Sequence, residues 1–88
     1  MQARLLRIEG RVQAVGYRDW MVREANRLGL DGWVRNHADG SVQALISGEE
    51  AAVEVLLTLA RRGPLMARVS AITEAFADPP DEPGFYQK

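Results

Sequence analysis

Leu30-Asp31-Gly32-Trp33-Val34-Arg35-Asn36 and Ser41-Val42-Gln43-Ala44-Leu45-Ile46-Ser47 enclose the four residues His37-Ala38-Asp39-Gly40. Both runs are rich in Val, Trp, Leu and Ile, and Asp-Gly between two such runs is a strong β-hairpin signal. What flanks the hairpin decides the fold. Before it, Met21, Val22, Ala25 and Leu28 recur at helical spacing within Arg18 to Leu28, and Gly29 supplies a stop. After it, Val53, Leu56, Leu57 and Ala60 follow an i, i+3, i+4, i+7 stripe within Gly48 to Arg62, and Gly63-Pro64 ends that helix. Further out, Arg4 to Glu9 alternates charged and apolar positions, with Leu6 and Ile8 on one face, and reads as a strand ending at Gly10. Val69 to Glu74 reads as a fourth strand. The Pro-rich Asp78-Pro79-Pro80-Asp81-Glu82-Pro83 forms a turn or loop before a short fifth strand, Phe85 to Gln87.

The order strand, helix, hairpin, helix, strand is the split βαβ pattern. It predicts an α+β, ferredoxin-like fold (β-α-β-β-α-β) with two helices on one face of a four- to five-stranded antiparallel sheet. That architecture hosts many unrelated activities, so chemistry has to be read from particular residues.

At 88 residues, the chain is expected to form a single domain over residues 1–88, and 47% hydrophobic residues suffice for a core. Zero Cys removes disulfides, thiolate nucleophiles, cysteine zinc sites and iron–sulfur clusters, and a single His, His37, rules out a multi-histidine metal site. A formal net charge of −1 offers no basic field for nucleic acid, and no aromatic RNA-binding motif is present. Met1 to Arg7 holds no long apolar stretch, so neither a signal peptide nor a membrane segment is expected, and a cytoplasmic protein follows. Ten of the eleven basic residues are Arg. Most of these, including Arg23, Arg27, Arg61 and Arg62, are simplest as solvated charges.

One of them stands out. The first strand joins the first helix through Gly10-Arg11-Val12-Gln13-Ala14-Val15-Gly16-Tyr17-Arg18. A helix start carries unpaired N–H groups and a partial positive charge, yet no Asp, Glu, Ser or Thr in this loop can cap it. Arg18 instead adds a cation there, which is unfavourable by up to about 1 kcal/mol unless an anion arrives. Loop amides forming a nest, with a bidentate Arg18, would suit a phosphate or carboxylate. The alternative is an Arg18 turned to solvent over a compact turn. The motif is neither a nucleotide phosphate loop nor a dinucleotide fingerprint, which points to something smaller than a nucleotide.

The same residues resemble the acylphosphatase signature, Gly-x-Val-Gln-Gly-Val-x-Phe/Tyr-Arg. Gly32-Trp33-Val34-Arg35-Asn36 resembles that family's second motif, Gly-x-Val-x-Asn, and Asp39-Gly40-Ser41-Val42 and Gly63-Pro64 extend the likeness over nearly the whole chain. The resemblance implies a metal-independent and cofactor-independent hydrolase that cleaves small-molecule acyl phosphates to carboxylate and inorganic phosphate, acting as a monomer without nucleic acid or membrane. It implies that Arg18 and the amides of Val12, Gln13, Ala14, Val15, Gly16 and Tyr17 bind the phosphate, and that Asn36 positions the attacking water. The resemblance also implies a base supplied by a substrate phosphate oxygen. Without the first motif, Asn36 would read as a turn residue at the hairpin corner. The alternative function is a non-catalytic phosphate or acyl-phosphate-binding module of the same fold.

Acyl phosphate chemistry suits this inventory. The leaving carboxylate has a conjugate-acid pKa of about 4 and departs without a general acid. His37, in the turn, is expected to be solvated rather than a base. Trp20 and Trp33 are expected as core or pocket-wall anchors, Tyr17 as a support for the loop, and Arg11 and Arg35 as flanking positive charge. The family has Gly where this chain has Ala14. Because a side chain disfavours positive φ, Ala14 is expected to take a negative φ with its N–H turned inward.

Overall fold

Side-chain alternation along the strands builds the core. On β1 (Ala3–Arg11), Leu6 and Ile8 are fully buried, whereas Leu5 and Arg7, which alternate with them, face the other way and are partly exposed. Val34 on β2 (Asp31–Asn36) and Val42, Ala44 and Ile46 on β3 (Val42–Ser47) complete the buried face. Two helices cover it. The computed structural model, which describes residues 3–88, places Tyr17, Met21 and Ala25 of α1 (Tyr17–Arg27) and Val53, Leu56, Leu57 and Ala60 of α2 (Glu50–Arg62) against those strands in one cluster. Each Leu, Ile or Val so buried is worth about 1.5–3 kcal/mol. β4 (Arg68–Ala77) and β5 (Phe85–Gln87) form the two edges of a five-stranded sheet in the order β4-β1-β3-β2-β5.

Local chemistry explains the helix ends. α1 closes in a Schellman motif, in which Leu30 N–H donates to Ala25 O at 2.9 Å and Gly29 N–H donates to Asn26 O at 3.1 Å. α2 carries Arg61 and Arg62 in its last turn, where cations suit the helix dipole, and Gly63 N–H donates to Leu59 O at 2.8 Å.

The α+β ferredoxin-like fold is as expected, but the sheet is mixed rather than wholly antiparallel. β1, β3, β2 and β4 pair antiparallel, while β5 runs parallel to β2 through Gly32 with Phe85, Trp33 with Tyr86 and Val34 with Gln87. The cause is the route of the chain. β4 leaves at the end of the sheet where β1 begins, and residues 78–84 cross to the opposite edge at that same end. The next strand must then re-enter running against β4, which is the direction of β2. In crossing, Pro79 and Pro80 border Trp33, Leu45 and Tyr86 on the helix-free face, so Leu45 is only 8% exposed although it faces away from the core.

This topology brings the C-terminal ends of β1, β2 and β5, the N-terminal end of α1 and the β2–β3 turn to one end of the molecule. No helix among the described residues is long and apolar enough to cross a membrane.

Candidate active site

The loop after β1 begins at a bulge. Register against β4 slips between Glu9 and Gly10, and Gly10 lies at φ 125 with its backbone so close to β4 that a Cβ would meet Arg68 O at 2.1 Å. Only glycine fits there. Past the bulge, Val12 turns into the core at 1% exposure.

Ala14 departs from expectation: its φ is +60, in the left-handed region, and not negative. Gly16, two residues on, is also left-handed at φ 80, ψ 14. Left-handed residues interleaved with ordinary ones curl a backbone into an anion-binding nest, and this curvature overrides the local preference of Ala14. Ala is the side chain for which that override costs little, since it presents only a methyl group, here exposed.

Gly16 is the N-cap of α1, and no side chain bonds to the free amides of the first turn. The uncapped helix start inferred from the sequence is present. Tyr17 anchors it. Its ring is 1% exposed, meets Trp20 edge-on with ring centroids 5.4 Å apart, and its hydroxyl donates to Ala60 O at 2.7 Å. Ala60 lies in the last turn of α2, so this bond satisfies a carbonyl that has no intrahelical donor. Burial pushes the Tyr17 hydroxyl well above the usual phenol range, keeping it a neutral donor. Arg18 follows, half-buried, and among the described residues no hydrogen bond or ion pair engages its guanidinium.

On the facing side, Asn36 ends β2 on the same strand face as buried Val34. The turn beyond it is tied down. Asp39 Oδ1 accepts from the Ser41 amide at 2.9 Å and from the Ser41 hydroxyl at 2.7 Å, and Arg7 Nη2 lies 2.5 Å from Asp39 Oδ2. The Ser41 bonds, with Arg7 assisting, hold the Asp39 carboxyl well below the usual carboxylate range. His37 is partly exposed in this turn, its Nδ1 3.1 Å from Asp39 Oδ1, and it does not border the cavity described next. Gln13 reaches across from the loop: its Nε2 donates to His37 O and to Ser41 O, both at 2.8 Å.

Between loop, helix start and β2 lies a cavity of about 170 Å³ lined by Val12, Ala14, Gly16, Tyr17, Arg18, Asp19, Asn36 and Gln87. It is smaller than the roughly 300 Å³ at which pockets begin to hold drug-sized ligands, which suits a small group. Arg18 and Asn36, remote in sequence, border it together. Of the loop, the alternate residues Val12, Ala14 and Gly16 border it, while Gln13 and Val15 do not, and Val15 packs against the core. Arg35 does not flank it either. Strand alternation puts Arg35 on the opposite sheet face from Asn36, where its guanidinium lies 5.2 Å from the Trp33 ring and its Nε donates to Gln43 at 2.9 Å. Trp33 is thus an outer-face residue rather than core, whereas Trp20 packs against the core. Among the described residues no three His, Asp or Glu side chains come together as a metal-holding group.

Two lining residues were not foreseen. Asp19 was legible as an acid in the first turn of a helix, beside Arg18. Gln87 carried no signal, because only the parallel pairing of β5 with β2 delivers it to the cavity, where its amide donates to Asp19 Oδ1.

The chain matches the acylphosphatase family over residues 5–86. It is 57% identical to an acylphosphatase of Acidiphilium cryptum, covering 100% of this chain and 97% of that one. Among solved structures, an acylphosphatase from Coxiella burnetii superposes with a TM-score of 0.93 at 28% identity, covering 99% of this chain and 92% of that one. One from Bacillus subtilis superposes with a TM-score of 0.90 at 29% identity, covering 99% and 97%.

Proposed function

Since the chain belongs to the acylphosphatase family, and is therefore a hydrolase of acyl phosphates, we propose that Arg18 and the amides of residues 12–18 bind the phosphoryl group and that Asn36 orients the attacking water. The observation that carries this assignment is the convergence of Arg18, Asn36 and alternate loop residues on one small cavity at an uncapped helix start.

The steps follow from the substrate's chemistry. The phosphoryl oxygens replace solvent at the α1 amides and at the otherwise unengaged Arg18 guanidinium, whose planar fork makes two parallel N–H bonds to them. These donors act hardest on the charge that spreads over the oxygens in the transition state. The Asn36 amide holds a water in line with the scissile bond. The water oxygen forms a bond to phosphorus as the bond from phosphorus to the acyl oxygen breaks, its electron pair leaving on the carboxylate. That carboxylate is a weak base, so no acid is needed. Asn36 cannot take the water's proton at neutral pH, and a phosphoryl oxygen of the substrate accepts it. The products are a carboxylate and inorganic phosphate.

The same proposal treats residues 1–88 as one domain that works as a monomer in the cytoplasm without metal or organic cofactor. The support for one domain is that all five strands join a single sheet over one core cluster.

Turnover of a synthetic acyl phosphate in excess chelator tests the assignment. Arg18→Ala is expected to lower kcat/KM by at least about 10²–10³-fold, the usual cost of a lost transition-state donor. Asn36→Ala is expected to bind inorganic phosphate almost normally while kcat falls. Wild-type turnover by Arg18→Ala would overturn it.

A further inference from the structure

Gln13 is the residue of the first motif that the phosphate cradle leaves unexplained. Its side chain does not border the cavity, yet it is held by two hydrogen bonds that cross from the loop to residues 24 and 28 positions away in sequence. Both acceptors are main-chain carbonyls, so both amide protons are used and the NH₂ orientation is dictated. The two carbonyls, His37 O and Ser41 O, form the mouth of the β2–β3 turn. They already accept within the turn, His37 O from Gly40 N–H at 3.1 Å and Ser41 O from His37 N–H at 2.8 Å. The mouth lies directly beyond the last ladder pair, Asn36 with Val42.

The juxtaposition matters because β1 and β2 are not neighbours: β3 lies between them. The cradle grows from β1 and Asn36 from β2, so sheet pairing alone leaves the loop free to ride over the turn. Among the described residues, Gln13 supplies the direct polar link between loop and turn, made one residue past Asn36.

We infer that Gln13 is a positioning residue, whose side-chain amide clamps the phosphate loop to the His37 and Ser41 carbonyls just beyond Asn36 and so sets the distance between bound phosphate and oriented water. It touches neither. Resting on the water-positioning role proposed for Asn36, this inference predicts which kinetic constant moves. Binding depends on Arg18 and the loop amides, which Gln13 does not supply through its side chain. The rate depends on registration of water with phosphorus, and a misplacement of about 1 Å costs on the order of 10²-fold.

The test is a double-mutant cycle with Gln13→Ala, Asn36→Ala and the pair, reading kcat and KM for an acyl phosphate and the inhibition constant of inorganic phosphate. Gln13→Ala is expected to lower kcat by about 10–100-fold and to change phosphate inhibition less than about threefold. Added to Asn36→Ala, it is expected to cost less than about threefold more, since no positioned water remains to be misaligned. A Gln13→Glu variant keeps the shape but, ionised, offers no proton to either carbonyl. Its kcat relative to wild type is expected to rise as pH falls through the carboxylate range, where the neutral acid regains one donor.

Four results overturn the clamp: wild-type kcat in Gln13→Ala, its full cost persisting beside Asn36→Ala, a parallel loss of phosphate binding that marks loop collapse, or a pH-independent Gln13→Glu ratio. If Asn36→Ala itself keeps the wild-type rate, the water-positioning role of Asn36 fails first and the clamp falls with it.

Discussion

Replacing Ala14 by Gly should stabilise this protein, although Ala to Gly normally does the reverse. Ala14 lies at φ +60, and an L-residue held in the left-handed region is strained by roughly 1–2 kcal/mol, a cost glycine does not bear. Glycine also enlarges the unfolded ensemble, which returns about 0.4–1 kcal/mol of that gain. The difference leaves Ala14→Gly more stable by about 0.5–1 kcal/mol, an upward Tm shift of about 2–8 °C for a domain of this size. No packing correction of note applies, because the Ala14 side chain is exposed. The assay is urea unfolding at constant m, with a helical control in the same protein: Thr58, exposed in mid-α2, where Thr58→Gly should fall about 1 kcal/mol below Thr58→Ala. Opposite signs at the two sites are the signature of a left-handed residue 14. A loss of about 1 kcal/mol in Ala14→Gly would refute the reasoning, since it would mean that residue 14 has an ordinary backbone in solution. Phosphate inhibition should change little in either case, because the cradle is already curved in the protein as it stands.

Tyr17→Phe removes the donor to Ala60 O and should cost about 1–3 kcal/mol, most of it the carbonyl left buried; a melting temperature within 2 °C of wild type would refute this. The folded-state pKa of Tyr17 is raised above its unfolded value of about 10, so its contribution is complete below that pH and is lost as pH rises beyond it. The stability gap between wild type and Tyr17→Phe should therefore narrow in alkaline solution, as followed by urea unfolding at pH 8 and pH 11. Asp19 sets two effects against each other: its carboxylate suits the α1 N-terminus but borders the anion cavity. Asp19→Asn should lower stability by about 0.3–1 kcal/mol and tighten phosphate inhibition several-fold, with kcat within about threefold. A kcat loss of a hundredfold would instead identify Asp19 as the base.

The architecture was legible because periodicity and punctuation agree. Leu6 and Ile8 alternate, Val53 to Ala60 recur every three or four residues, and Gly29 and Gly63 stop the helices where a stop is needed. The site was legible in part. Arg18 could be singled out from local physics, as a cation at an uncapped helix start. Asn36 could not, since a hairpin-corner asparagine has the same local chemistry with or without a partner across the cavity, and the family motif was needed to separate the two. Arg35 misled for a related reason. Being adjacent to Asn36 in sequence places it on the other face of the sheet.

Composition alone already removed thiol chemistry, disulfides and clustered histidines, and the element order and loop composition alone identified the architecture and the uncapped helix start. These are properties of short stretches, where each residue's preference acts on its neighbours. The sign of φ at Ala14, the parallel entry of β5, the arrival of Gln87 and the bridge from Gln13 to the hairpin were decided only by the tertiary structure. Each depends on where a distant strand or turn comes to lie. Closing the cradle outweighs the backbone preference of one alanine, and the end of the sheet at which β4 exits determines the direction of the last strand.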